Sequence, residues 1–220
     1  MNKLYLVACC LMFELQVAIA QNFSGGLILG INASQIDGDN IKGFHKRGGT
    51  IGGYVNYRFS ETFSIQPEIL IEQLGSRSKD RRLTVLGGSA VDLNINSLNL
   101  PLLLMLRHPL IIGTDIEFDV DWYGGAALGV RMNWVDNHGN SPEIDFLKRY
   151  DYRIIGGADI PIGDYLSING RITYSVIPTL DTELPLPGQM PKDEVGRLRW
   201  FYRYISLSVH VNLIRADRWK

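Results

Sequence analysis

Phe118-Asp119-Val120-Asp121-Trp122-Tyr123-Gly124-Gly125-Ala126-Ala127-Leu128-Gly129-Val130-Arg131-Met132-Asn133-Trp134 alternates without a break. Phe118, Val120, Trp122, Gly124, Ala126, Leu128, Val130, Met132 and Trp134 fall in one phase, and Asp119, Asp121, Tyr123, Gly125, Ala127, Gly129, Arg131 and Asn133 in the other. Successive side chains of a strand point to opposite faces, so a period of two predicts a strand with one apolar face. The run outlasts the roughly five or six residues usual in a water-soluble strand. It also exceeds the roughly 9–11 residues a tilted strand needs to cross a hydrocarbon layer.

The same period marks eight segments: 25–36, 49–59, 63–75, 97–107, 118–134, 147–160, 165–177 and 200–213. The connections differ in length. Segments 60–62 and 161–164 are tight turns and 108–117 is moderate, whereas 37–48, 76–96, 135–146 and 178–199 are long and rich in Gly, Asp, Asn, Lys, Arg or Pro. This predicts an all-β chain: an eight-stranded antiparallel up-and-down transmembrane β-barrel with short periplasmic turns and long extracellular loops. An even strand number puts both chain ends on the short-turn side.

The first twenty residues are set apart. Lys3 opens a basic start, Leu4 to Ile19 is mostly apolar, and Ala18-Ile19-Ala20 has the small-x-small form of a signal-peptidase site. The reading is a signal peptide over 1–20, cleaved after Ala20, and a barrel domain over 21–220. A lipobox reading of Leu6-Val7-Ala8-Cys9 competes with it, but the apolar stretch before Cys9 is short and continues past it. Both cysteines, Cys9 and Cys10, lie in this leader, so the rest of the chain has no thiol ligand or disulfide. The net charge of −1 argues against a nucleic-acid partner. After the leader no apolar run is long enough for a helical span.

Charge sorts by face. The polar faces carry Arg58, Glu68, Glu72, Arg107, Asp119, Asp121, Arg131, Arg149, Asp151, Arg153, Asp159 and Arg171, six acids and six bases. On the apolar faces Lys148 and Arg203 are the main exceptions, both near long connections. A charge facing lipid at mid-depth costs about 2–4 kcal/mol, so the polar faces are expected to line the lumen as a structural charge network. Antiparallel register sets Arg107 near Asp119 and Arg131 near Asp151. It also brings Arg153 towards Arg171, a like-charge pair that needs Glu68 or Glu72 from the opposite wall. An eight-stranded interior is only wide enough for side chains, which predicts a plugged core and no open pore.

The competing architecture is a soluble, lipocalin-like periplasmic barrel with the polar face in water. Two patterns favour the membrane. Tyr57, Phe59, Phe63, Phe118, Trp122, Trp134, Tyr150, Tyr152 and Phe201 gather near strand ends on the apolar face, as interfacial girdles do. Glycines alternate with long charged residues on the polar face, as a crowded lumen requires.

Several strands resemble a known family. Gly26-Leu27-Ile28-Leu29-Gly30-Ile31-Asn32-Ala33-Ser34, Phe63-Ser64-Ile65-Gln66-Pro67-Glu68-Ile69-Leu70, Leu98-Asn99-Leu100-Pro101-Leu102-Leu103-Leu104 and Gly124-Gly125-Ala126-Ala127-Leu128-Gly129 are similar, in order and spacing, to strands of the PorT-like outer-membrane β-barrel proteins of Bacteroidetes-type bacteria. The resemblance implies an outer-membrane barrel. That family's named member serves type IX secretion and gliding. Pro67 and Pro101 fall inside strands, where a missing N–H breaks a ladder bond. The chain ends Arg215-Ala216-Asp217-Arg218-Trp219-Lys220 and not on an aromatic strand end.

Residues with catalytic or ligating chemistry are scattered. His45, His108 and His138 lie in loops or at strand ends without metal spacing. His210 faces inward between Ser208 and Asn212, towards the periplasmic end, away from the outer rim where lipid-modifying barrels place a Ser/His/acid set. Asp37-Gly38-Asp39-Asn40 lacks the spacing and terminal Glu of an EF-hand loop. Gly48, Gly49, Gly52 and Gly53 have no following Lys-Ser/Thr and no helix, so they form no phosphate loop. Pro185, Pro187, Gly188 and Pro191 make 184–191 a poor pairing segment. The expectation is a non-enzymatic, monomeric outer-membrane barrel without cofactor or metal. Its partners are outer-membrane lipid and periplasmic or cell-surface proteins met through the loops. The alternatives are a secretion or gliding component, a narrow channel, and a lipid-modifying enzyme.

Overall fold

The computed structural model describes residues 22–37, 43–77, 92–112, 116–135, 148–184 and 196–214. The expected leader, residues 38–42 of the acidic loop, His138, the proline-rich run 185–191 and the segment 215–220 lie outside the described residues.

Nine strands follow in order: β1 (Phe23–Asp37), β2 (Lys46–Arg58), β3 (Phe63–Arg77), β4 (Asp92–Ile112), β5 (Ile116–Val135), β6 (Tyr150–Ile162), β7 (Leu166–Ser175), β8 (Leu180–Leu184) and β9 (Gly196–Ile214). Sequential strands pair antiparallel from β1 to β7, β7 pairs β9, and β9 closes on β1. The short β8 continues the line of β7 against the start of β9, from Leu180↔Trp200 to Leu184↔Gly196. The molecule is therefore an eight-walled closed antiparallel barrel, and no helix occurs among the described residues. Closure is the physical point. In hydrocarbon an unpaired N–H or C=O costs several kcal/mol, and a closed sheet has no edge to leave unpaired.

The eight expected strands are all present, with shifted ends. The segment 108–117 is mostly strand, because β4 runs to Ile112 and β5 starts at Ile116. Part of 76–96 belongs to β3 and β4. The expected loop 178–199 contains the β8–β9 hairpin, whose register sets Asp181 opposite Arg199 and Glu183 opposite Arg197. The prolines interrupt the ladders as their missing N–H requires. Pairing of β2 with β3 lapses between Tyr54↔Glu68 and Tyr57↔Ile65, beside Pro67. Pairing of β3 with β4 lapses between Pro67↔Leu102 and Leu70↔Asn99, beside Pro101.

The two faces separate as the periodicity demands, except near the start of β5, where Val120 is buried and Asp119 exposed. Ile51, Val55, Ile69, Leu102, Leu104, Ile154, Ile172 and Leu207 are exposed on the outside, Ile172 at 62%. Asp151 and Arg171 are each 5% exposed inside. Among the described residues, exterior aromatics gather towards the two ends of the barrel. Phe23 with Tyr57 and Phe59 with Phe63 lie at the end that holds Asn22 and Ile214. Tyr150 and Tyr152, with Tyr174 stacked on Phe201, lie towards the other. Ten residues of β9 separate Arg203 from Leu213; at about 3.4 Å per residue and a tilt near 40° they span about 26 Å, the height of an apolar band.

Candidate functional site

The barrel interior is where the chain concentrates its chemistry. Inward positions are the odd residues of β4, β5, β6 and β7 and the even residues of β1, β2, β3 and β9, and the closing register turns them onto one another across the lumen.

Two arginines dominate the middle. Arg153, on β6, donates from Nε to Asp151 Oδ2 at 2.6 Å, from Nη1 to Glu72 Oε2 at 3.1 Å and from Nη2 to Ser97 Oγ at 3.0 Å. Tyr204 donates its hydroxyl to the same Glu72 oxygen at 2.7 Å, and its ring lies under the guanidinium, 5.7 Å from centroid to Cζ. Arg171, on β7, makes a two-pronged contact with Glu68 on β3, at 2.8 and 2.9 Å. Its Nε donates to Tyr123 Oη at 3.3 Å. Both glutamates therefore reach across from the far wall, one to each arginine. The register shows why no anion is shared: Arg153 sits opposite Ser175, and Arg171 opposite Gly157.

Glycines make room for this packing. A Cβ on Gly129 would lie 2.5 Å from Arg153 Cζ, and one on Gly157 would lie 2.4 Å from the Tyr123 hydroxyl oxygen. Their place on the polar face of strands is explained by these two contacts.

The remaining expected residues distribute as follows. Arg107 pairs with Asp121 through two 2.7 Å bonds, not with Asp119, because the β4–β5 register sets Arg107 opposite Asp121. Asp119 is exposed at the rim. Arg149 is exposed too, just ahead of β6, and does not enter the lumen. Arg131 and Asp151 are offset: Asp151 lies opposite Gly129 and spends Oδ2 on Arg153 and Ser175. Arg131 Nη1 is buried without a hydrogen-bond partner among the described residues. Asp159 accepts from Asn169 at 3.2 Å, and Arg58 is half-buried at the wall of a cavity.

Two tyrosines of β9, Tyr202 and Tyr204, were the missed members. Tyr54, Tyr123, Tyr202 and Tyr204 point inward, and Tyr54 bonds Asn212 over Gly26 of the intervening β1. Their phase carried the signal, since Tyr202 and Tyr204 share the parity of Ser208 and His210. The interior is also less ionic than its charges imply. Ile36, Leu93, Ile95 and Tyr202, with Trp200 against them, pack together at the end away from the termini. Leu103, Met105, Tyr123, Ala127 and Ile155 form a second apolar cluster, and Ile28, Tyr54 and Leu70 a third.

At the end holding Asn22 and Ile214 the lumen opens into a polar cavity of about 100 Å³, bordered by Arg58, Arg107, Asp121, Asp159 and His210. His210 Nδ1 lies 3.4 Å from Asp159, and Nε2 lies 3.4 Å from Ser208 Oγ. This order has the outline of an acyl-transfer triad. Both contacts exceed the roughly 2.6–3.2 Å reach of a working relay. Ser208 is buried, faces Gly30 across the β1–β9 ladder and is not among the residues that border the cavity. Of the other histidines described, His108 is exposed on β4 and His45 is exposed ahead of β2. Asp37 binds Arg203 at 2.6 Å. Gly48, Gly49, Gly52 and Gly53 lie in β2.

Comparison with known proteins bears on this architecture. The structure is similar to that of Ail, the attachment invasion locus protein of Yersinia pestis, solved with the heparin analogue sucrose octasulfate (10% identity, 87% of this chain and 99% of that one, TM-score 0.41). It is similar to Neisserial surface protein A (10% identity, 86% and 96%, TM-score 0.45) and to a de novo designed transmembrane β-barrel (8% identity, 86% and 95%, TM-score 0.33). No curated protein matches the chain in sequence. Residues 19–181 match the family described as outer membrane protein beta-barrel domain. With its closed eight-walled sheet and apolar exterior, the chain belongs to that family and is an integral protein of the outer membrane.

Proposed function

We propose that this barrel is a closed, non-enzymatic membrane scaffold that works through the surface at the end away from its termini and passes no solute. One observation carries the reading: the Glu72–Arg153 and Glu68–Arg171 pairs tie opposite walls together through the centre of the lumen, with all four side chains no more than 3% exposed. The apolar cluster of Ile36, Leu93, Ile95 and Tyr202 closes the lumen beyond them. The scaffold is exported by the leader at 1–20 and oriented with both termini in the periplasm. Planar-bilayer recording is the test. The closed scaffold gives no steady conductance, and defined unitary steps at modest voltage replace it with the narrow-channel reading.

The strand motifs at Phe63–Leu70 and Leu98–Leu104 favour a PorT-like branch of the family, and with it a second reading as a component of a secretion or gliding machine. Crosslinking in cells followed by purification separates the two. A recurrent periplasmic partner supports the machine, and recovery of the barrel alone supports the free-standing scaffold.

A further inference from the structure

The exterior of β6, β7 and β9 combines aromatic rings and cations at one height. Tyr150 and Tyr152 are each 54% exposed, and Lys148 and Arg149 just before them are exposed as well. The backbone N–H of Lys148 bonds the Thr179 carbonyl, and the Thr179 N–H bonds the Trp200 carbonyl, which brings the start of β6 beside β9. There Arg203 lies over the Tyr174 ring at 5.7 Å, Tyr174 stacks on Phe201, and Arg199 is exposed above them. Asp37 neutralises Arg203 in part. Counting up the outer faces from Leu213 and Ile162, about ten residues of each strand cross the apolar band, so Arg203 and Tyr152 fall at its edge and Lys148 and Arg149 above it. The β2–β3 wall has Arg47 and Arg77 exposed at this end and, among the described residues, no exposed tyrosine.

From this arrangement we infer that the outer face of β6–β7–β9 binds the phosphate of a phosphorylated glycolipid headgroup in the outer leaflet. Lys148 and Arg149 supply charge, Arg203 supplies a planar donor, and the tyrosines pack against sugar and upper acyl chain. Rings that are apolar at one end and polar at the other suit that depth, and cations beside an anionic surface each gain about a factor of five in affinity. The inference rests on the orientation proposed above.

The test uses the full chain refolded in detergent micelles, with diphosphorylated lipid A as probe and bound lipid counted by native mass spectrometry. The double variant Lys148→Gln/Arg149→Gln is expected to bind about thirtyfold more weakly, whereas Arg47→Gln on the opposite wall stays within about twofold. Dephosphorylated lipid A is expected to bind the parent as weakly as the diphosphorylated form binds the double variant. Equal binding of the two forms, equal binding of phosphatidylglycerol, or a double variant that matches the parent overturns the proposal. Should the double variant refold poorly on a heat-modifiability gel, the salt dependence of parent binding reads the same contact, and salt-independent binding overturns it. Labelling of a Lys148→Cys variant on whole cells reads the orientation separately. A label that reaches it only after the outer membrane is opened refutes the orientation, and the glycolipid with it, whatever the titration shows.

Discussion

Replacing Arg153 with Met should be among the most damaging single changes the barrel can undergo. The guanidinium is 2% exposed and compensates two carboxylates, Glu72 at 3.1 Å and Asp151 at 2.6 Å, the first of them 1% exposed. Met fills similar volume, so the cavity contribution is small and the loss is electrostatic. Breaking a buried pair by removing one partner costs about 3–5 kcal/mol, because the remaining charge stays desolvated. With two acids stranded, the expected loss lies at the upper end, about 4–5 kcal/mol. Reversible urea unfolding in phospholipid vesicles, followed by tryptophan fluorescence, measures it. The double variant Arg153→Met/Glu72→Gln removes one stranded charge and should recover about 1–3 kcal/mol, a coupling the double-mutant cycle isolates. A single variant that loses less than about 1 kcal/mol would refute the reasoning, since that is the worth of a solvated pair.

Other perturbations probe separate parts of the packing. Gly129→Val puts a side chain where the Arg153 guanidinium lies, 2.5 Å from the Cβ position, and should cost about 1–3 kcal/mol by overpacking in the same unfolding assay. Gly124→Val, outward on the same strand with its nearest Cβ neighbour 3.9 Å away, should change stability by less than about 0.5 kcal/mol. Ile172→Lys places a charge at mid-depth on the lipid face, where Ile172 is 62% exposed, and should cost about 2–4 kcal/mol. Tyr204→Phe deletes the hydroxyl that bonds Glu72 at 2.7 Å and should cost about 1.5–3 kcal/mol.

The strands and their sidedness were readable because one cause acts at every residue: lipid outside and crowding inside impose a period of two. The partners inside the lumen were not readable to the same degree. Arg107 meets Asp121 and not Asp119 because β4 and β5 run on to Ile112 and Ile116, which moves the register by two positions. A turn whose true apex differs by one residue displaces every facing pair by two. The wall-to-wall contacts of Glu68 and Glu72 depend on barrel closure, which one strand's pattern does not contain; they were anticipated only because two like charges on neighbouring strands demanded an anion. Tyr204 was missed because an aromatic near a strand end suits a membrane girdle and a lumen equally by composition. Asp119 shares the inward phase yet is exposed near the start of β5, and Arg149 lies on the bend ahead of β6, where the strand's phase no longer applies.

Nitroxide labels placed singly along β7 test the central claim most directly. Labels at Ile168, Gly170 and Ile172 should collide freely with dissolved oxygen in lipid, and labels at Ser167, Asn169, Arg171 and Thr173 should be shielded from it, giving an oscillation of period two. A flat profile, or one with its maxima at Asn169 and Arg171, would contradict the account.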